Sequence, residues 1–263
     1  MSKIIKTEFW KLKRYSIIWA GVALMFLCVL LTLYTSIAQI GIAWDFPFLV
    51  EQVMQINVIY IFPMSIALLF GYLANREVKD DTLKNLLTVP ISMGKIMAGK
   101  AIVCAFLSFV LGLVEGVFTL LASLIVGFGG LSALLALNCL FGMAALNFLL
   151  FCAVAPLVLL VGRFFSEPLV GVITAFLYGY GGFFAFGSPL LSSIYPVTAC
   201  LGVIGYRSAD LSAENAWNRP LCVASVVIMA VLALVLAYTT TAKKDAAPKK
   251  PKKSAKQVPK KGW

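Results

Sequence analysis

The chain has 263 residues, of which 61% are hydrophobic and only 13% are charged, and its mean hydropathy is +0.96. A water-soluble domain could not expose so much apolar surface, so the composition indicates an integral membrane protein. The net charge is +11 and the chain has no histidine, which excludes histidine-based acid–base catalysis and histidine metal sites.

Residues 1–16 are predicted to form an amphipathic helix ahead of the membrane domain. The apolar residues of this segment fall largely on one helical side and its lysines on the other: Ile4, Ile5, Phe9, Trp10 and Leu12. Such a helix lies in the membrane interface with its apolar side dipped into the lipid. It could be a plain juxtamembrane anchor, or it could pack near a partner protein.

Six apolar stretches are long enough to cross a hydrocarbon layer of about 30 Å, which takes about 20 helical residues. They are residues 17–38, 55–74, 101–127, 134–161, 168–187 and 221–241. These stretches are too long and too apolar for barrel strands, and every backbone polar group must be satisfied inside lipid. The predicted fold class is therefore an all-α membrane protein with six transmembrane helices, within a membrane domain at 17–241.

Positive charge predicts the orientation of these helices. All 22 lysines and arginines except Arg207 and Arg219 fall before the first span, between the second and third, after the fourth, or in the tail. Because positive residues are retained in the cytoplasm, both termini are predicted to be cytoplasmic. The longest outer loop is then 188–220, near which Cys200 and Cys222 could form a disulfide. No Cys-x-x-Cys pattern indicates a metal or redox site.

The segment between the second and third spans, residues 75–100, is charged and amphipathic and looks like a surface for another protein. Glu77, Asp80 and Asp81 stand near the start of a predicted helix, where the helix dipole favours negative charge. Pro90 is predicted to end that helix. A merely solvated loop is the alternative.

Two features refine the interpretation of this segment. Leu86 and Leu87 would be exposed without purpose in a solvated loop, which favours a partner surface. Residues 94–100 fit the first seven positions of a phosphate-binding loop, but Ala101 stands where the magnesium-binding Ser or Thr belongs. The match is therefore attributed to chance, and any ATP must be bound by another chain.

The third span contains Glu115, the only carboxyl group deep in a predicted span. Small or polar residues share its helical face: Ser108, Gly112, Thr119 and Ser123. A charge in lipid is costly, so this face should point into the bundle or into a wet cavity. Glu115 could bond helices together, contact a cationic substrate, or relay protons. With two asparagines of the fourth span, the candidate substrate path is Glu115, Thr119, Asn138 and Asn147.

The C-terminal tail, residues 242–263, is rich in lysine, proline and alanine and is predicted to be disordered. Near anionic lipid each lysine contributes about 1 kcal/mol of attraction, and a solubilising or topology-fixing role is the simplest interpretation. No nucleic-acid partner is expected, because no folded domain or aromatic platform accompanies the lysines.

Three places resemble the permease subunits of bacterial ABC transporters of the type-2 export class. Residues 8–14 are similar to a Glu-x-x-Lys-Leu-Lys-Arg opening before the first helix. The second similarity, to the long loop after the second span, involves Phe62-Pro63, Glu77, Thr82-Leu83-Lys84, Leu86-Leu87, Pro90-Ile91-Ser92 and Lys100. The third is Tyr195-Pro196. More narrowly, the chain looks like the lantibiotic-immunity and bacitracin-resistance permeases, although the lysine tail is not part of their usual pattern.

The resemblance implies that residues 75–100 carry a coupling helix that binds in a groove of an ATP-binding subunit. The implied ATPase-coupling residues are Glu77, Asp80, Asp81, Thr82, Lys84, Leu86, Leu87 and Pro90. The working unit would contain two ATPase subunits and two permeases, identical or different, in the bacterial plasma membrane. This chain would be a transport subunit that is not itself an enzyme and binds no cofactor or metal, with ATP and magnesium on the ATPase.

The resemblance also implies a substrate, namely an amphipathic and often cationic peptide antibiotic that is expelled for immunity or resistance. Other interpretations stay open at this stage. The chain could be an ABC permease for a lipid, a polysaccharide or a drug, or an ion-coupled carrier that works without ATP. An intramembrane enzyme is disfavoured by the lack of histidine and of clustered carboxylates.

Overall fold

The computed structural model describes residues 2–12, 16–38, 44–79, 92–165, 167–206 and 217–239. These residues form helices and their connections, and no β-strand is found among them. The helices are α1 (Ser2–Leu12), α2 (Ile17–Ala38), α3 (Phe46–Ile56), α4 (Phe62–Lys79), α5 (Met93–Val126), α6 (Ala133–Phe164), α7 (Pro168–Ala185), α8 (Pro189–Ile194), α9 (Pro196–Ile204) and α10 (Arg219–Tyr238). A π-helical turn, Asn57–Ile61, joins α3 to α4.

Among the described residues, five helical segments are long and apolar enough to cross a membrane. They are Ile17–Ala38, Phe46–Ala74, Met93–Val126, Ala133–Phe164 and Arg219–Tyr238. The remaining predicted span coincides with α7, whose apolar part, Leu169–Ala185, is shorter. The predicted all-α membrane class is confirmed, and the count of six spans and the orientation stay predictions.

Two of these segments begin earlier than the hydropathy of the sequence indicates. The second begins at Phe46 because the Asp45 side chain caps α3, accepting a hydrogen bond of 2.9 Å from the Phe48 amide, and a proline occupies the first turn. Glu51 therefore lies within the candidate span. It is a second carboxyl group inside a candidate span, in addition to Glu115. The third begins at Met93, which places Lys100 inside α5.

The N-terminal helix α1 packs against the first part of α5. A Cβ atom on Gly99 would lie 2.8 Å from the Ile4 side chain, and the rings of Phe9 and Phe106 are 5.6 Å apart. Glu8 is buried and forms an ion pair with Lys11, with 2.6 Å between Glu8 Oε1 and Lys11 Nζ. The apolar side of α1 is thus partly covered by the protein itself.

Each end of the bundle has a hydrogen-bonded contact between separate parts of the chain. At the end that carries α1, hereafter the α1 end, Arg163 of α6 donates hydrogen bonds to the Leu236 carbonyl (2.8 Å) and to the Thr239 hydroxyl beyond α10. At the opposite end, hereafter the Gly129 end, the Phe46 amide donates to the Gly129 carbonyl at 2.9 Å.

Cys200 and Cys222 are both buried and not joined in a disulfide.

The π-helical turn has a local cause in Pro63. Proline lacks an amide hydrogen, so the Ile59 carbonyl four residues earlier loses its usual helical donor. The Phe62 amide instead reaches back five residues to the Asn57 carbonyl. Helix α7 covers the region closely, since a Cβ on Gly179 would lie only 2.5 Å from the Ile59 oxygen. Glycine at this position therefore permits α7 to approach the backbone of the turn.

Replacing Gly179 with alanine is expected to destabilise the bundle by about 1–3 kcal/mol, because the added methyl group would overlap the Ile59 oxygen and the Pro63 ring. Thermal unfolding of the purified protein in detergent measures this. Gly171→Ala on the same helix is the matched control, since a Cβ there has no neighbour within 4 Å. Equal unfolding temperatures for the two variants would contradict the close contact.

Candidate functional site

The predicted coupling segment is only partly described. The backbone of Glu77 lies in the last turns of α4, which ends at Lys79. The other implied coupling residues lie outside the described residues: Asp80, Asp81, Thr82, Lys84, Leu86, Leu87 and Pro90. Their role as a docking surface for an ATPase stays a prediction.

The helices on either side of this segment are joined to each other. Lys100, near the start of α5, is 3% exposed, and its Nζ donates a 2.6 Å hydrogen bond to the carbonyl of Leu73 in α4. A buried ammonium group needs such polar partners to offset its lost hydration. The bond holds the last part of α4 against the first part of α5, the two helices that flank residues 80–91 in sequence.

Three buried polar side chains from three elements meet in the middle of the bundle, and we call them the Glu115 cluster. Asn57 of the π-helical turn donates from Nδ2 to Glu115 Oε2 at 2.9 Å and to Asn147 Oδ1 at 2.7 Å. Asn147 of α6 donates from Nδ2 to the same Glu115 oxygen at 3.0 Å. All three are at most 1% exposed. The cluster therefore links α3–α4, α5 and α6 through a closed set of hydrogen bonds.

The surroundings of the cluster are apolar or weakly polar. Thr119 donates to the Glu115 carbonyl at 2.9 Å and also contacts the Met143 sulfur. The Cys28 thiol lies near the Glu115 carboxyl group, and its sulfur is 3.8 Å from the Val53 carbonyl oxygen. Glu115 Oε1 and Asn57 Oδ1 make no hydrogen bond of acceptable geometry with described residues. In this conformation the cluster is enclosed, which favours helix–helix bonding over direct substrate contact.

The structure divides the predicted substrate path into two places. Glu115 and Asn147 belong to the cluster, and Thr119 lies beside it through its hydrogen bond to the Glu115 carbonyl. Asn138 does not join them and instead lines a cavity at the Gly129 end. Asn57 was missed by the sequence analysis, although an asparagine inside an apolar run was a signal that could have found it.

The cavity has a volume of about 530 Å³ and lies between α3, the first part of α6 and the end of α9. Its walls are largely apolar, with Glu51 and Asn138 as the polar side chains of α3 and α6. The full lining is Phe46, Pro47, Val50, Glu51, Met54, Leu135, Asn138, Cys139, Gly142, Ile204, Gly205 and Tyr206. A largely apolar pocket with a few polar groups is the usual character of a site for an organic ligand.

Comparison with known proteins identifies the family. The chain matches the family described as "ABC-2 family transporter protein" over residues 4–182, which extends from α1 into α7 and includes the Glu115 cluster and residues 75–100, the predicted coupling segment. A comparison with curated proteins gives no match. Members of this family are membrane subunits that work with a separate ABC ATPase chain. Since the match covers well over half of the chain, this multi-pass membrane protein belongs to the ABC-2 transporter family and is a permease subunit of an ABC transporter.

Proposed function

We propose that this permease subunit removes an amphipathic peptide antibiotic from the membrane and returns it to the medium, which would confer immunity or resistance. The observation that carries the proposal is the cavity at the Gly129 end, which combines apolar walls with a carboxyl group. A cationic amphipathic peptide offers the complementary pair of features, an apolar surface and a positive charge. The narrower resemblance of the chain to lantibiotic-immunity and bacitracin-resistance permeases supports the same substrate class.

The proposed working unit contains two ATPase subunits and two permeases, which are identical or different. Residues 75–100 would bind in a groove of the ATPase on the cytoplasmic side, with Leu86 and Leu87 as the apolar anchors. Closure of the two ATPases on ATP would then move the two permeases against each other. The hydrogen bond from Lys100 to Leu73 supports this arrangement, because it makes a firm base for the segment.

Transport in reconstituted vesicles tests the substrate class. The tagged chain is purified from its native membrane in mild detergent, and the co-purifying ATPase is identified by mass spectrometry. The complex is then placed in liposomes that contain a fluorescently labelled lantibiotic. We expect ATP, but not a non-hydrolysable analogue, to drive the peptide out of the bilayer.

The rival functions give different results in the same experiment. A permease for a lipid, a polysaccharide or a drug would use ATP without moving the peptide. If the chain were an ion-coupled carrier, no ATPase would co-purify with it, and transport would proceed without ATP. Either result would contradict the proposed function.

A further inference from the structure

We infer that the cavity at the Gly129 end binds the positively charged part of an amphipathic organic cation, with Glu51 as its counter-ion. The inference rests on the proposed function, since it takes the substrate to be a cationic amphiphile, and it goes further by naming the site and the residue that recognises the charge. Glu115 was the carboxyl group expected in this role, but it is enclosed among Asn57 and Asn147.

The walls of the cavity supply the apolar half of the recognition. Val50 and Met54 come from α3, Leu135 from α6 and Ile204 from α9, so the apolar surface is drawn from three separate helices. The volume of about 530 Å³ falls within the range of roughly 300–1,000 Å³ that small-ligand sites occupy. This space admits one or two side chains of a peptide, or the head and first methylene groups of a cationic lipid-like molecule.

Glu51 forms no ion pair with a described residue, and the one described guanidinium at the cavity rim, that of Arg219, lies beside Gly205, where its Nη2 would be 3.1 Å from an added Cβ. Among the described residues the one ion pair is Lys11 with Glu8, at the α1 end. Asp45 lies close enough to Glu51 to add to the negative potential there. Because Asp45 already caps α3 through the Phe48 amide, Glu51 is the carboxyl group of this pair that remains available to a ligand.

Helix ends around the cavity also bear on the sign of the ligand. The N-termini of α3 and α6 carry partial positive charge, but this effect decays within the first turn, and Glu51 and Asn138 both lie beyond it. The C-terminus of α9, at Gly205, carries partial negative charge and forms part of the lining. The Tyr206 hydroxyl donates a 3.1 Å hydrogen bond to the Glu51 carbonyl and holds this rim to α3.

Binding of paired peptides to the permease in lipid nanodiscs tests the inference. The probe is an amphipathic peptide that contains lysine and a photoreactive diazirine, and its partner carries acetyl-lysine instead. Charge-assisted hydrogen bonds predict that Glu51→Gln weakens binding of the lysine peptide by about tenfold and leaves the acetyl-lysine peptide unchanged. Glu167→Gln, an exposed carboxyl group before α7 at the α1 end, is the matched control and should change neither.

A second pair of variants tests the location. Gly142 lines the cavity, so the phenylalanine of Gly142→Phe should fill it and weaken binding of both peptides. Gly171→Phe is the control and should leave binding unchanged, because a Cβ at Gly171 has no neighbour within 4 Å. Cross-links from the diazirine should map by mass spectrometry to α3, α6 and the end of α9. If Gly142→Phe does not fold, Glu51→Gln and the cross-link map still decide the question.

The inference would be overturned by wild-type affinity of Glu51→Gln for the lysine peptide, by an equal loss in Glu167→Gln, or by cross-links confined to other helices. Its failure is distinguishable from failure of the proposed function. Glu51-dependent binding without ATP-driven peptide transport keeps the site and removes the function. Transport of the peptide with no dependence on Glu51 keeps the function and removes the site.

Discussion

Replacing Leu86 and Leu87 together with aspartate is expected to abolish co-purification of the ATPase while leaving the permease in the membrane. If each leucine fills a groove in the ATPase, their burial contributes about 3–6 kcal/mol in all, and a carboxylate in the same place would have to be desolvated without a partner. Binding should therefore weaken by more than about a hundredfold. Affinity purification followed by quantitative mass spectrometry measures the loss, and membrane fractionation measures insertion.

The double variant Leu86→Ile with Leu87→Ile is the matched control, since it changes shape but keeps the apolar character. It should retain the ATPase at close to the wild-type level. An unchanged yield of ATPase with the aspartate variant would refute the assignment of residues 75–100 as the coupling segment. The ATPase would then bind to another part of the permease.

Replacing Glu115 with alanine is expected to lower the stability of the purified permease by about 1–3 kcal/mol. The change removes the oxygen that accepts hydrogen bonds from both Asn57 and Asn147. Because these amide groups are buried inside the bundle, they would lose that acceptor without regaining a hydrogen bond to solvent. Because the three residues belong to three separate elements, the loss should appear as a lower unfolding temperature of the whole bundle rather than as local fraying.

Glu115→Gln is the matched variant, because its amide oxygen can still accept hydrogen bonds from the two asparagines. It should unfold close to the wild-type temperature and assemble with the ATPase. A glutamine variant that assembles normally but transports much less would instead assign Glu115 a contact with a cationic substrate. Wild-type stability of Glu115→Ala would refute the structural role of the cluster.

The composition of the chain was enough to predict the membrane class, because hydropathy is a sum over many residues. The limits of the second span were harder to predict, since residues 46–55 include Glu51 and two glutamines that lower the local hydropathy. Only the cap by Asp45 and the covering of α3 by other helices make this stretch part of a continuous helical segment. These are tertiary effects that a hydropathy window does not contain.

The candidate substrate path shows a similar division. Glu115 and Thr119 are one helical turn apart and share a face, so their proximity followed from spacing alone. Asn138 and Asn147 are about two and a half turns apart, which places them on opposite sides of α6. This explains why Asn138 lines the cavity, whereas Asn147 belongs to the Glu115 cluster. That Asn57 faces Glu115 depends on the packing of separate helices, which the spacing of residues along one helix does not contain.

The bond between Lys100 and Leu73 has a mechanical consequence for a protein driven from outside the membrane. A loop attached to two independent helices would absorb a push by changing its own shape. Here a hydrogen bond joins α4 and α5 six residues before the end of α4 and seven residues after the start of α5, so force applied to the loop would be shared by both helices. Since Asn57, in the π-helical turn that precedes α4, also donates a hydrogen bond to Glu115 of α5, the connection extends towards the middle of the bundle.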